Sequence, residues 1–84
     1  MSHPNRAALE QALRDAGSAH HDFEQVTLKG VSDDLWAGFY SAFVLGRVGD
    51  FAKPSELNDW LTDAPAGDDW AAAAAAHVMS KLES

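Results

Sequence analysis

The stretch Leu35-Trp36-Ala37-Gly38-Phe39-Tyr40-Ser41-Ala42-Phe43-Val44-Leu45-Gly46-Arg47-Val48 decides the fold class. Its apolar residues at 35, 36, 39, 40, 43, 44 and 48 recur at i, i+3, i+4, i+7 and i+8. That is the period of a helix with a broad buried face. Just upstream, Ser32 stands in an N-cap position, and Asp33 and Asp34 place negative charge at the positive end of the helix dipole. Downstream, Gly49 is a natural stop, and Arg47 lies in the last turn, where the dipole favours a cation. The segment predicts a central core helix.

Toward the N-terminus, Pro4 or Asn5 opens a helix whose apolar stripe runs Leu9, Leu13, Ala16, His20, Phe23 and Val26 or Thr27. The steps of three and four stay in phase through Gly17 and Ser18, which favours one long helix ending near Lys29-Gly30. The competing reading stops the helix at Gly17 and starts a short second one after Ser18, leaving Gln25 to Val31 free to be briefly extended. Toward the C-terminus, Pro54 or Ser55 begins a short helix with Leu57, Trp60 and Leu61 on one side, and Pro65-Ala66-Gly67 breaks it. Asp68 and Asp69 then cap a final helix to Leu82, with Trp70, Ala74, His77 or Val78, and Leu82 available for burial. No segment alternates long enough to be a strand. The sequence therefore predicts an all-α fold, a small bundle of four or five helices, in one domain over residues 1–84.

Two segments, Ala19-His20-His21-Asp22-Phe23-Glu24 and Trp36-x-x-x-Tyr40, carry a resemblance. Over about residues 5–80 the chain resembles a group of small all-helical bacterial proteins with an Ala-His-x-x-aromatic-Glu helix and a Trp-x-x-x-Tyr helix. The resemblance implies an all-helical fold and no reaction, substrate or cofactor.

Composition narrows the function classes. An 84-residue chain has room for one hydrophobic core, and without cysteine it has neither disulfides nor thiolate metal sites to reinforce it. Three Trp, four Phe and one Tyr are expected to supply the missing apolar mass as a tightly packed aromatic core. The absence of cysteine and the polar start from Met1 to Arg6 point to the cytoplasm. No apolar run is long enough for a membrane span. Thirteen Asp and Glu against six Lys and Arg give a net charge of −7, which repels phosphate backbones and anionic lipid and argues against nucleic-acid binding.

Candidate chemistry centres on His20, His21, Asp22 and Glu24. On a helix only His20 and Glu24 share a face, which leaves two ligands where zinc needs three or four; His77 from the last helix could supply a third, but nothing local demands it, and no metal or other cofactor is expected. His20 reads first as a partly buried histidine on the inner stripe. As a catalytic group it would need an orienting partner, Glu24 or Tyr40. Ser41 lacks the strand-turn-helix elbow of hydrolase nucleophiles. Gly46 to Asp50 fits no phosphate-loop pattern. The acidic pairs Asp33-Asp34 and Asp68-Asp69 read as helix caps rather than calcium ligands. The alanines 71–76 read as packing material that lets a neighbouring helix approach closely.

Two function classes follow. The first is a non-enzymatic, acidic accessory module that binds a protein partner, or itself as a homodimer, through an apolar patch formed by Leu45, Phe39 and Val48, with a basic partner surface favoured by charge. The second is a small-molecule-binding or enzymatic protein with His20, Glu24 and Tyr40 at the mouth of an aromatic pocket bounded by Trp36 or Trp60. A third, nucleic-acid mimicry by the acidic surface, would need carboxylates at phosphate-like spacing.

Overall fold

In a computed structural model of the chain, which describes residues 4–27, 36–65 and 68–83, four α-helices are present: α1 (Arg6–Asp22), α2 (Trp36–Val48), α3 (Pro54–Asp63) and α4 (Trp70–Glu83). A π-helical turn, Phe23–Thr27, continues α1. Among the described residues there is no strand, and no helix is long and apolar enough to cross a membrane. Ser32, Asp33, Asp34, Leu35, Lys29-Gly30 and the Ala66-Gly67 pair lie outside the described residues.

The helix ends follow local chemistry. Asn5 caps α1, its Oδ1 accepting from the N–H groups of Ala7 at 2.8 Å and Ala8 at 3.4 Å, two of the donors the first turn leaves orphaned. The helix runs through Gly17 and Ser18 without a break, so one helix stands where two were possible. Gly49 ends α2 at φ +100°, a conformation that disfavours any residue with a β-carbon, and its N–H donates to the Leu45 carbonyl at 2.9 Å. Pro54 occupies the first turn of α3, where its missing N–H costs nothing, and the Glu56 carboxylate accepts from the Lys53 N–H at 3.4 Å. Asp69 precedes α4 and accepts from the Ala72 N–H at 3.3 Å, the capping role expected of it.

α2 packs on α1 and α3, and α4 packs on the same two, so the four helices close a ring around the core. That core is aliphatic. Leu9, Leu57, Leu61, Val44 and Val78 are wholly inaccessible, with Leu13 nearly so, and each such side chain contributes about 1.5–3 kcal/mol of burial. Ala12 and Ala16 of α1 and Ala71, Ala74 and Ala75 of α4 are buried, and side chains that small permit close approach between packed helices.

The expected aromatic core is thus corrected: Phe51 is buried, whereas Trp36, Phe39, Tyr40, Phe43, Trp60 and Trp70 are only partly so. The reason is geometric. α2 turns its line of Ala37, Ser41, Val44 and Leu45 inward, and its broad apolar arc leaves Trp36, Phe39, Tyr40 and Phe43 on the flank that meets α1 and the start of α4. The same rotation buries Leu45, 7% exposed, so the patch expected from Leu45, Phe39 and Val48 does not form. Ser41 turns its buried hydroxyl back on its own helix, donating to the Ala37 carbonyl at 2.7 Å.

The stripe of α1 is right through His20 and fails at its end. Val26 is 78% exposed because the π-turn takes more residues per turn than the α period assumed in extending the stripe. Residues 25–27, open to an extended reading in the sequence, belong to that turn.

Candidate functional site

His20 is set on the last turn of α1, where the inner stripe carries it to the edge of the core, 7% exposed. Three rings surround it: Phe39 edge-on with centroids 5.0 Å apart, Tyr40 at 5.5 Å and Phe23 at 6.3 Å. Its Nδ1 lies 3.7 Å from Glu24 Oε1, close enough for an ion pair when the imidazole is protonated and longer than a good hydrogen bond. Tyr40 has its phenol pushed above the usual value of 10.0, by burial first and by the Glu24 carboxylate second. His20, Glu24 and Tyr40 are therefore gathered in one place, as the i, i+4 spacing and the facing helix suggested. Three aromatic rings pack against the imidazole, whose residue is 7% exposed.

Trp36 joins this group through Tyr40. Trp36, Tyr40 and Trp70 form a mutually edge-to-face trio, with centroids 5.4–5.6 Å apart and planes crossed at 82–88°, the geometry that places ring edges against ring faces. Trp60 stands apart: it lies on α3, packed against the aliphatic core, and makes no ring contact with the others among the described residues.

Tyr40 also borders a concavity. It is an open groove of about 690 Å³ between α1 and the start of α4, with Arg14, Gly17, Asp22, Tyr40, Asp68 and Trp70 among its lining. Of the five residues singled out from the sequence, Tyr40 alone reaches it. Gly17 shapes this wall, since a β-carbon there would lie 3.2 Å from the Tyr40 hydroxyl. Arg14 spans the rim, with Nη2 at 2.8 Å from Glu10 and 2.9 Å from Asp69. These hydrogen bonds raise the guanidinium pKa further, while Arg14 and then the Ala72 N–H hold the Asp69 carboxyl below its usual value. His21 and Asp22, both exposed, also line the groove. The sequence pattern did not mark Gly17 as a groove residue and placed Trp70 with the aromatics of the core. The available signal was a glycine inside an unbroken helical phase, which often marks a close approach by a neighbour.

Among the described residues no three His, Asp or Glu side chains converge as a metal ion would require. On the opposite flank of the α1/α2 seam, Phe23 meets Phe39 at 5.3 Å, Phe39 stacks on Phe43 at 6.5 Å, and the Arg47 guanidinium sits 5.0 Å over Phe43 while bound to Asp15 at 2.7 Å. No protein-family model, curated protein or solved structure matches the chain.

Proposed function

We propose that this protein is a non-enzymatic, cytoplasmic interaction module that docks a protein partner on the seam between α1 and α2. One observation carries the reading: Phe23, Phe39 and Phe43 form a continuous, partly exposed aromatic strip, and Val26, three residues past Phe23, is 78% exposed. Single exposed apolar residues are ordinary, whereas a connected run of them is the usual mark of a surface that another molecule covers. The strip replaces the patch expected around Leu45 and keeps its place beside the second helix. Packing of rings against His20 supports an accessory role over a catalytic one, because general acid-base work needs the imidazole within reach of a substrate. With a net charge of −7, a basic protein surface is the complementary partner, and nucleic acid is disfavoured.

The test is a photo-reactive residue placed at position 26, with position 59, an exposed site on α3, as control. A single protein crosslinked from 26 and not from 59, and lost on Phe43→Ser, supports the reading. If that protein is a second copy of the chain, the module is a homodimer. Native mass spectrometry showing a retained stoichiometric small molecule, with no crosslink from 26, overturns it in favour of a ligand-binding protein.

A further inference from the structure

The groove between α1 and the start of α4 belongs to a different surface from the aromatic strip, and its chemistry is more specific. We infer that it receives an arginine side chain from a basic segment of a protein partner, an inference that rests on the reading of the chain as an interaction module and adds the kind of partner it takes.

Three features select that occupant. The groove wall carries two rings, Tyr40 and Trp70. A guanidinium is planar and weakly hydrated, so it stacks on aromatic surfaces more readily than an ammonium does. The charge of the lining is unbalanced: among the described residues Asp22, Asp68 and Asp69 stand against Arg14 as the one Lys or Arg, with His21 the other titratable side chain. Arg14 is already engaged by Glu10 and Asp69, whereas Asp22 and Asp68 have no hydrogen bond or ion pair among those residues. Two carboxylates beside aromatic rings are the complement of a cation with in-plane donors. Finally, this fold already holds an arginine in the same way. On the far flank Arg47 lies over the Phe43 ring with the Asp15 carboxylate at 2.7 Å. The groove lining likewise brings aromatic rings and carboxylates to one place. At about 690 Å³ and open along one side, it has room for the peptide that bears the arginine.

The experiment titrates the full isotope-labelled chain with acetyl-Gly-Arg-Gly-Arg-Gly-amide and follows backbone and indole N–H resonances. Saturable shifts are expected at the Trp70 indole and at the Gly17, Ser18 and Ala71 amides, with the Trp60 indole unmoved. The peptide with citrulline for arginine, equal in shape and uncharged, should produce none. Asp22→Asn with Asp68→Asn should weaken binding about tenfold, as expected when charge-assisted hydrogen bonds become neutral ones. Equal binding of the citrulline peptide, unchanged affinity in the double variant, or unsaturable shifts spread equally over α3 would each overturn the inference. Phe43→Ser, made beside the photo-reactive residue at position 26, separates the two proposals: Phe43 is no part of the groove lining, so the crosslink should be lost and peptide binding kept. A crosslink from position 26 with a silent groove sinks the arginine site alone, and a responsive groove with no crosslink sinks the strip alone.

Discussion

A β-carbon at Gly17 would sit 3.2 Å from the Tyr40 hydroxyl, so the one glycine inside α1 is where the α2 tyrosine closes on that helix. The contact ties the groove wall to the aromatic flank, because the same Tyr40 ring packs against His20, Trp36 and Trp70.

Gly17→Ala should stabilise the protein, but by less than the roughly 1 kcal/mol that alanine gains over glycine inside a helix, because the hydroxyl must shift by a few tenths of an ångström. Tyr40→Phe removes that obstacle. In the double variant the alanine should recover the full gain, giving a favourable coupling of about 0.5 kcal/mol in a double-mutant cycle read by urea unfolding. Strict additivity would show that the two residues do not touch in solution.

Tyr40 is the sole tyrosine, so phenolate absorbance reports it directly. Its titration should lie above 10.0, the value of an unburied phenol. A raised folded-state pKa means that the fold favours the protonated phenol. That contribution is full below pH 10.0 and fades as pH rises through the raised value. Glu24→Gln should lower the midpoint while leaving it above 10.0, since burial is the larger cause and the carboxylate the smaller.

Acid should weaken the junction of α1 and α4. The Asp69 carboxyl is held below its usual 3.8, chiefly by the Arg14 hydrogen bond, and Asp15 likewise by Gln11 and then Arg47. Depressed carboxyls contribute stability that is complete above 3.8 and lost as pH falls through their lowered values. Asp69→Asn keeps a capping oxygen for the Ala72 N–H and removes the charge. The variant should be less stable at neutral pH and show a shallower acid limb in thermal melts than the parent; an acid limb of unchanged steepness would place the sensitivity elsewhere.

Among the described residues the buried His77 Nε2 has no hydrogen-bond partner. An orphaned buried polar atom bears a desolvation penalty with no compensating bond. His77→Leu should therefore raise stability by about 1 kcal/mol, within the range for removing such a group. Loss of stability in chemical denaturation would show that the imidazole's packing outweighs its unmatched nitrogen.

The helical class and most helix boundaries were legible in the residues, because those depend on neighbours within one turn. Asn5 captures the N–H groups of residues two and three further on, Asp69 that of Ala72, Gly49 adopts a positive φ, and Pro54 suits a first turn. The i, i+4 relation also carried His20 to Glu24, and the inner face of α1 was correct from Leu9 to His20. What covers each face was settled by packing between helices. An apolar arc as broad as that of α2 fits several rotations about its axis, and packing against α1 and α3 selected the one that buries Leu45 and leaves the phenylalanines at the rim. The π-turn that exposes Val26 changes the helical period itself, so no extrapolation of the α-helical pattern reaches it. The groove joins Gly17, Tyr40 and Trp70 from three helices. Side-chain periodicity ranks the faces of one helix, but a concavity exists only between helices, and its shape is set by how closely their backbones can approach.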